Sequence, residues 1–207
     1  MIKNKNLSIC FILSLALIIL RIGFIGTTMV IDDEAYYAMY ARHLSPGYID
    51  HGPIVAIIIW ISTFFFGETG FGVRIGAVLM LSVLGWILYR FGETQFSPRT
   101  GIILSLLVTA NLLFHTNGII ITPDAPLAFF TIIAILMYYK AYHQNPKYFL
   151  PGGILLGLAL MSKISAVFPA LAIALYPIVN HQKREYLKDF RYYGSFLIAL
   201  MVFSPFL

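Results

Sequence analysis

Between Arg99 and Asp124 the chain carries no charged side chain, and Thr100–Pro123 is only one of several such runs. Others occupy Leu7–Val30, broken by Arg21 alone, and then Pro53–Phe66, Ile75–Tyr89, Ala125–Tyr139, Tyr148–Ser162, Ile164–Asn180 and Tyr192–Leu207. Of the 207 residues 59% are hydrophobic and 11% charged, with a mean hydropathy of +0.84. A soluble domain of this size has too little interior to hide so much apolar surface. A bilayer accepts it, and demands in return that each spanning segment satisfy its own backbone polar groups, which leaves helices. The expected fold is an all-α polytopic membrane protein, with about seven spans at roughly 20 residues each.

The formal charge of +5 lies in loops beside the apolar runs, where Lys and Arg orient a membrane chain. It is therefore not read as a nucleic-acid footprint, and no nucleic-acid partner is expected. The single cysteine, Cys10, permits no internal disulfide. Leu7–Val30 is too long for the apolar part of a signal peptide and is expected to stay as the first span. Pro53–Phe66 is short, opens on proline and closes on Gly67-Glu68, the length of a re-entrant or interfacial helix. If it does not span, Lys3 and Lys5, Arg90 and Arg99, Lys140 and Lys147, and the cluster Lys183, Arg184, Lys188 and Arg191 all fall on one side. By the positive-inside rule that side is the cytoplasm. The resulting map has a first span at 7–30, an outer loop at 31–70 with interfacial helices at 33–44 and 53–66, and further spans over 71–207. The last run stops at Leu207 without a polar flank, which predicts the amino-terminal part of a longer transmembrane domain.

On this map six of the nine acids face outward: Asp32, Asp33, Glu34, Asp50, Glu68 and Asp124. The orientation rule hardly constrains acids, so their gathering has a local cause, of which function is one candidate and a simple lack of outer lysines another. In Asp32–Leu44, Asp32 is a natural N-cap, and Asp33, Tyr36, Tyr37 and Tyr40 share a helical face, with Glu34 and Arg42 on another. The tyrosines suit an aromatic belt at headgroup depth as well as a binding surface. Asp50-His51-Gly52-Pro53 adds a carboxylate and an imidazole, and His51 with Glu34 could hold a divalent metal ion or simply make structural hydrogen bonds. Asp124, between Pro123 and Pro126, can cap the following helix and act chemically as well. His115 and Thr122 are polar neighbours in the same run, each suited to satisfying backbone groups. Lys163, Arg21 and Arg74 are cations inside apolar sequence, which must snorkel or meet an anion. Snorkelling is expected of Arg21, and a lipid-linked phosphate is the anion expected for Lys163.

Carboxylates and cations at the outer edge of a helix bundle suit attack by an acceptor on a sugar carried by a lipid phosphate. Phosphate leaves readily, so the reaction needs a base for the acceptor's proton and positive charge for the departing phosphate, not a strong general acid. The same helices and basic loops also fit a non-catalytic membrane scaffold or a lipid-flippase-type component. A secondary transporter fits less well, because most acids are in loops and no pair of half-helices repeats.

Four motifs in order, Asp33-Glu34-Ala35-Tyr36-Tyr37, Asp50-His51-Gly52-Pro53, Pro123-Asp124-Ala125-Pro126-Leu127 and Gly157–Phe168, carry a family resemblance. The chain resembles membrane glycosyltransferases of the GT-C fold, in the dolichyl-phosphate-mannose–protein-mannosyltransferase-like and aminoarabinose-transferase-like group. Gly52 stands where relatives commonly have the first proline of His-Pro-Pro. The resemblance implies a polyprenyl-phosphate-linked sugar donor, inversion at the anomeric carbon, and a lipid A, glycan or protein hydroxyl as acceptor. It implies Asp33 as general base, Glu34 beside it for acceptor or cation binding, and Asp124 as the second-loop acid. Lys163 and Arg42 become donor-phosphate contacts and His51 a metal or acceptor contact. It further implies a bacterial inner membrane with the chemistry on the periplasmic face, among membrane lipids.

Overall fold

The computed structural model describes the backbone of residues 2–206 and the side chains of 12–206 apart from Leu112, Leu113 and His115. The side chains of Lys3, Lys5, Cys10 and His115, considered above, therefore lie outside the described residues. Every regular element among the described residues is helical. In order these are α1 (Ile2–Ile25), α2 (Asp32–Arg42), α3 (Ile54–Phe66), α4 (Gly70–Gln95) and α5 (Pro98–Thr109). They continue with α6 (Leu112–Asn117), α7 (Asp124–His143), α8 (Phe149–Ser162), α9 (Val167–Val179) and α10 (Phe190–Phe203). The protein is an all-helical polytopic membrane protein, as its apolar runs require.

Length separates the helices further. Among the described residues, α4 and α7, of 26 and 20 residues, are long and apolar enough to cross a membrane by themselves. α3 and α5, with 13 and 12 residues, rise only about 20 Å at 1.5 Å per residue, short of a hydrocarbon core of about 30 Å. Two expected spans are not single straight helices. Thr100–Pro123 divides into α5 and α6 and then leaves helical geometry before Asp124, and the helical stretch Ile164–Val179 bends by 106° into the 3₁₀ segment His181–Lys188.

The chain forms two compact units, residues 1–44 with 55–125, and residues 45–54 with 126–207. In the first, α4 and α5 make an antiparallel hairpin across Phe96-Ser97, where Ser97 caps α5 by accepting the Thr100 N–H and Pro98 takes the first helical position. Their backbones meet at glycine: a Cβ on Gly92 would lie 2.6 Å from the Gly101 Cα. At the other end of α4, Gly67 adopts φ +78°, which glycine alone adopts without strain, and Thr69 caps the helix through the Gly72 N–H at 3.1 Å. Ile25 at the end of α1 packs on Ile75 and Val78 near the start of α4. Residues 26–69 therefore leave and return to one end of this unit.

α5 stops alongside the middle of α4, where a Cβ on Gly85 would meet the Thr109 Cγ2 at 2.9 Å. A helix that ends inside the unit leaves carbonyls without amide partners. Arg21 of α1 supplies a donor: its Nη2 bonds the Thr109 carbonyl oxygen at 2.8 Å, and the side chain is 0% exposed. The expectation that Arg21 snorkels is thus overturned by the break in α5, which gives a buried cation negative carbonyl ends to face.

In the second unit α8 and α10 pack through Gly153-Ile-Leu-Leu-Gly157, a small-xxx-small pattern. A Cβ at Gly153 would overlap the Ser195 carbonyl, and one at Gly157 would sit 2.6 Å from the Val202 Cβ. Tyr138, Tyr142, Phe149 and Tyr192 form the adjoining aromatic core, with the Tyr138 hydroxyl on Ser195 Oγ at 2.9 Å. Lys183 donates to the Tyr142 carbonyl at 2.7 Å, so two of the basic clusters meet at one end of this unit.

Arg21→Met, which keeps bulk but removes the donor, should destabilise the protein by about 2 kcal/mol, the worth of a charge-assisted hydrogen bond to a buried carbonyl. A lowered unfolding midpoint in a fixed detergent, partly restored in Arg21→Lys, is the expected result.

Candidate active site

Helix α2 begins one residue earlier than a side-chain cap at Asp32 would place it. Ile31 is the N-cap and Asp32 is already helical. Isoleucine has no side-chain acceptor, so the capping comes from within the helix: Glu34 Oε2 reaches back to accept the Ile31 N–H at 3.1 Å. Three acids in the first turn add favourable charge at the positive helix end.

Glu34 is fully buried. Arg74, from the second turn of α4, donates its Nε to both carboxylate oxygens at 2.8 and 3.0 Å and its Nη2 to Oε2 at 2.6 Å. Oε1 also accepts the Ile121 N–H at 3.2 Å. The rest of the guanidinium points to the end of α1, with Nη1 on the Ile25 and Thr28 carbonyls and on Thr28 Oγ1, and Nη2 on the Met29 carbonyl. Both oxygens of Glu34, the residue expected to serve an acceptor or a cation, thus accept internal hydrogen bonds. Arg74, which sequence reasoning left in search of an anion, has this one.

Asp33 lies about 100° around the helix from Glu34. It is exposed and, among the described residues, makes no ion pair or hydrogen bond. The tyrosines that follow are split between core and surface: Tyr37 and Tyr40 are buried while Tyr36 is exposed, with ring centroids 4.6–6.2 Å apart and the Tyr40 hydroxyl on that of Tyr36. Packing thus claims two of the three rings expected at headgroup depth.

At its far end α2 presents Arg42 to Glu68, Nη2 to Oε2 at 2.5 Å, with both side chains more than 60% exposed. The pair borders a cleft of about 700 Å³ whose walls include Ala38, Met39, Trp60 and Val73. Its walls mix apolar side chains with Thr63, Thr69 and the exposed ion pair. Asp124 opens α7, with Pro126 in the first turn and the Ala125 N–H on the Thr122 carbonyl at 3.1 Å. Only three residues separate Asp124 from Ile121, whose amide is held by Glu34.

The remaining candidates belong to the second unit. Residues 48–51 form a turn closed by the Tyr48 N–H on the His51 carbonyl at 3.1 Å. The turn packs on the end of α8, where a Cβ at Gly52 would overlap the Met161 carbonyl oxygen. This close approach explains glycine at position 52, and it brings Asp50-His51-Gly52 against the helix end that leads into half-buried Lys163. Lys163 takes extended geometry between α8 and the short 3₁₀ turn Ile164–Ala166.

Glu34, expected with His51 to hold a metal, already accepts from Arg74 and from the Ile31 and Ile121 amides. Among the described residues no group of three or more His, Cys, Asp or Glu side chains converges.

The model of one protein family, dolichyl-phosphate-mannose-protein mannosyltransferase, matches residues 50–207. The chain belongs to this family. It is accordingly a mannosyltransferase-like membrane glycosyltransferase with several passes through the membrane. No curated protein and no solved structure gives a significant match. The family match takes in Asp50-His51-Gly52-Pro53, Arg74, Asp124 and Lys163, and begins after α2, so the reading of Asp33 and Glu34 rests on geometry and on the motif they form.

Gly52→Ala should separate the turn from α8 because the new methyl overlaps a backbone oxygen, which cannot rotate aside. The expected cost is about 1–3 kcal/mol, in the range of overpacking, read as a lower unfolding midpoint in the same detergent.

Proposed function

We propose that this protein transfers a sugar, with inversion, from a polyprenyl-phosphate donor to a hydroxyl of a lipid, glycan or protein acceptor at the outer face of the bacterial inner membrane. The observation that carries the reading is Asp33: an outward, unpaired carboxylate on a helix whose adjacent residue is anchored in the protein interior.

In the proposed step the acceptor oxygen attacks the anomeric carbon from the side opposite the phosphate. Asp33 takes the hydroxyl proton as the new C–O bond forms. The old bond from the anomeric carbon to the phosphate oxygen breaks with its electron pair on the phosphate, and polyprenyl phosphate leaves. A cation that meets the growing phosphate charge lowers the barrier without a general acid. Arg42 suits this task because its pairing with Glu68 is exposed and so holds it only weakly. The cleft beside Arg42, lined by both apolar and polar side chains, offers room for a lipid-linked sugar phosphate. Lys163 is proposed as a second phosphate contact and His51 as an acceptor contact, both on the family resemblance. Asp124 is proposed to orient the acceptor.

Arg90 and Arg99 flank the α4–α5 turn, and the basic clusters of the second unit gather at one end, both of which support a cytoplasmic assignment for those ends. The acids at the start of α2 and at Glu68 then belong to the outer face.

With radiolabelled polyprenyl-phosphate sugar and bacterial membrane extract as acceptor, the wild-type chain should transfer label above a vector control. Asp33→Asn should lower kcat by about 10²–10⁴, the usual worth of a general base. Lys163→Gln should raise the donor KM. Transfer by Asp33→Asn at the wild-type rate would remove Asp33 from the mechanism, and no transfer by an inserted wild-type chain would favour a scaffold.

A further inference from the structure

The two acids at the start of α2 differ in kind, and the difference suggests what Glu34 does. α2 has 11 residues, fewer than the roughly 12–15 at which an isolated helix becomes even marginally stable, so its first turn depends on tertiary attachment. That attachment is the Glu34 carboxylate. It accepts from three places far apart in sequence: the Arg74 guanidinium of α4, the Ile31 amide just ahead of α2, and the Ile121 amide just ahead of α7. Arg74 in turn grips the carbonyls at the end of α1. One buried pair therefore ties together both segments that carry the proposed reacting acids, Asp33 one residue beyond Glu34 and Asp124 three beyond Ile121.

We propose that Glu34 and Arg74 are positioning residues that hold Asp33 and Asp124 in a fixed register, and that neither touches the substrates. This inference rests on the glycosyl-transfer reading above for its catalytic half, while its structural half stands on the geometry alone. The pair also has a polarity. Arg74 is ringed by oxygen acceptors and Glu34 by amide donors, so exchanging the two residues would set each charge against the wrong shell. A simple ion pair would tolerate the exchange; this one should not.

The test compares wild type, Glu34→Gln, Asp33→Asn and the exchange Glu34→Arg/Arg74→Glu in lipid nanodiscs, by amide hydrogen exchange and by transfer from radiolabelled polyprenyl-phosphate sugar. Glu34→Gln keeps the shape but loses the charge and part of the acceptor set. The Ile31 and Ile121 amides should then exchange at least about tenfold faster, reflecting loss of a hydrogen bond to a charged acceptor. The kcat should fall at least about tenfold with the donor KM little changed, because positioning of the base and not donor binding has been lost. Asp33→Asn should abolish transfer and leave both amides as protected as in wild type. The exchange variant should rescue neither property. If Glu34→Gln fails to fold, Arg74→Lys, which keeps the cation and loses the fork, takes its place with the same expectations.

Unchanged protection of both amides in the variant overturns the clamp. Faster exchange with an unaltered kcat overturns its positioning role. A donor KM raised as far as kcat is lowered would make Glu34 a binding residue and overturn the proposal in that way. An inactive wild type sinks the catalytic half together with the transfer reading, and the amide measurements still decide the structural half.

Discussion

Burying a guanidinium or a carboxylate is costly unless its N–H groups find acceptors or its oxygens are met by donors. At Arg74 and Glu34 each condition is met by the other residue and by backbone groups that no helix can satisfy internally. The end of α1 leaves carbonyls at Ile25, Thr28 and Met29, and the start of α2 leaves an amide at Ile31. Helix ends that would be liabilities in an apolar unit become the shell of the ion pair. The return of residues 26–69 to the end where they left follows from this, since Arg74 near the start of α4 is fastened to the end of α1.

The same requirement governs the break in the third long apolar run. In lipid an interrupted helix is tolerated where protein supplies the missing partners. Arg21 supplies one at Thr109, halfway along α4, and the glycine contacts at Gly92–Gly101 let α5 lie close enough to α4 for its end to fall within reach. A cation in one apolar run is thus explained by a helix end in another. Neither is anomalous once the two are seen together, and both look anomalous apart.

That separation marks what could be read from residues alone. The apolar runs located α7, α8 and α10 to within four residues at each end and the middle of α4, because burial in lipid is a local property of composition. The short Pro53–Phe66 run appears as the 13-residue α3, and Asp33–Leu44 as α2 over Asp32–Arg42. The split of Thr100–Pro123 was not legible, since Ala110-Asn111 breaks a helix only when something distant receives its carbonyls. Nor was the fate of Glu34. Arg74 was visible as a buried cation needing an anion, but six outer acids were on offer, and nothing local distinguishes the one 40 residues upstream. The Gly153-Ile-Leu-Leu-Gly157 pattern at the α8–α10 contact drew no expectation from the sequence, because small residues mark a packing face only once its partner is in place.

Neighbouring acids on a helix need not share one environment. Each residue turns the side chain by about 100°, so a carboxylate beside one that faces the interior can be left exposed, as Asp33 is beside Glu34. At Asp33-Glu34 the longer side chain takes the inward position, where it needs the reach to meet Arg74 and to turn back to Ile31 at once. The shorter one, with fewer torsions to lose, is left outward on a first turn that its neighbour immobilises. A base benefits from both properties, exposure to the acceptor and a fixed backbone beneath it. Two adjacent carboxylates therefore do not add up to a doubled acid site: Glu34 is taken up by Arg74 and backbone amides, and Asp33 is left exposed beside it.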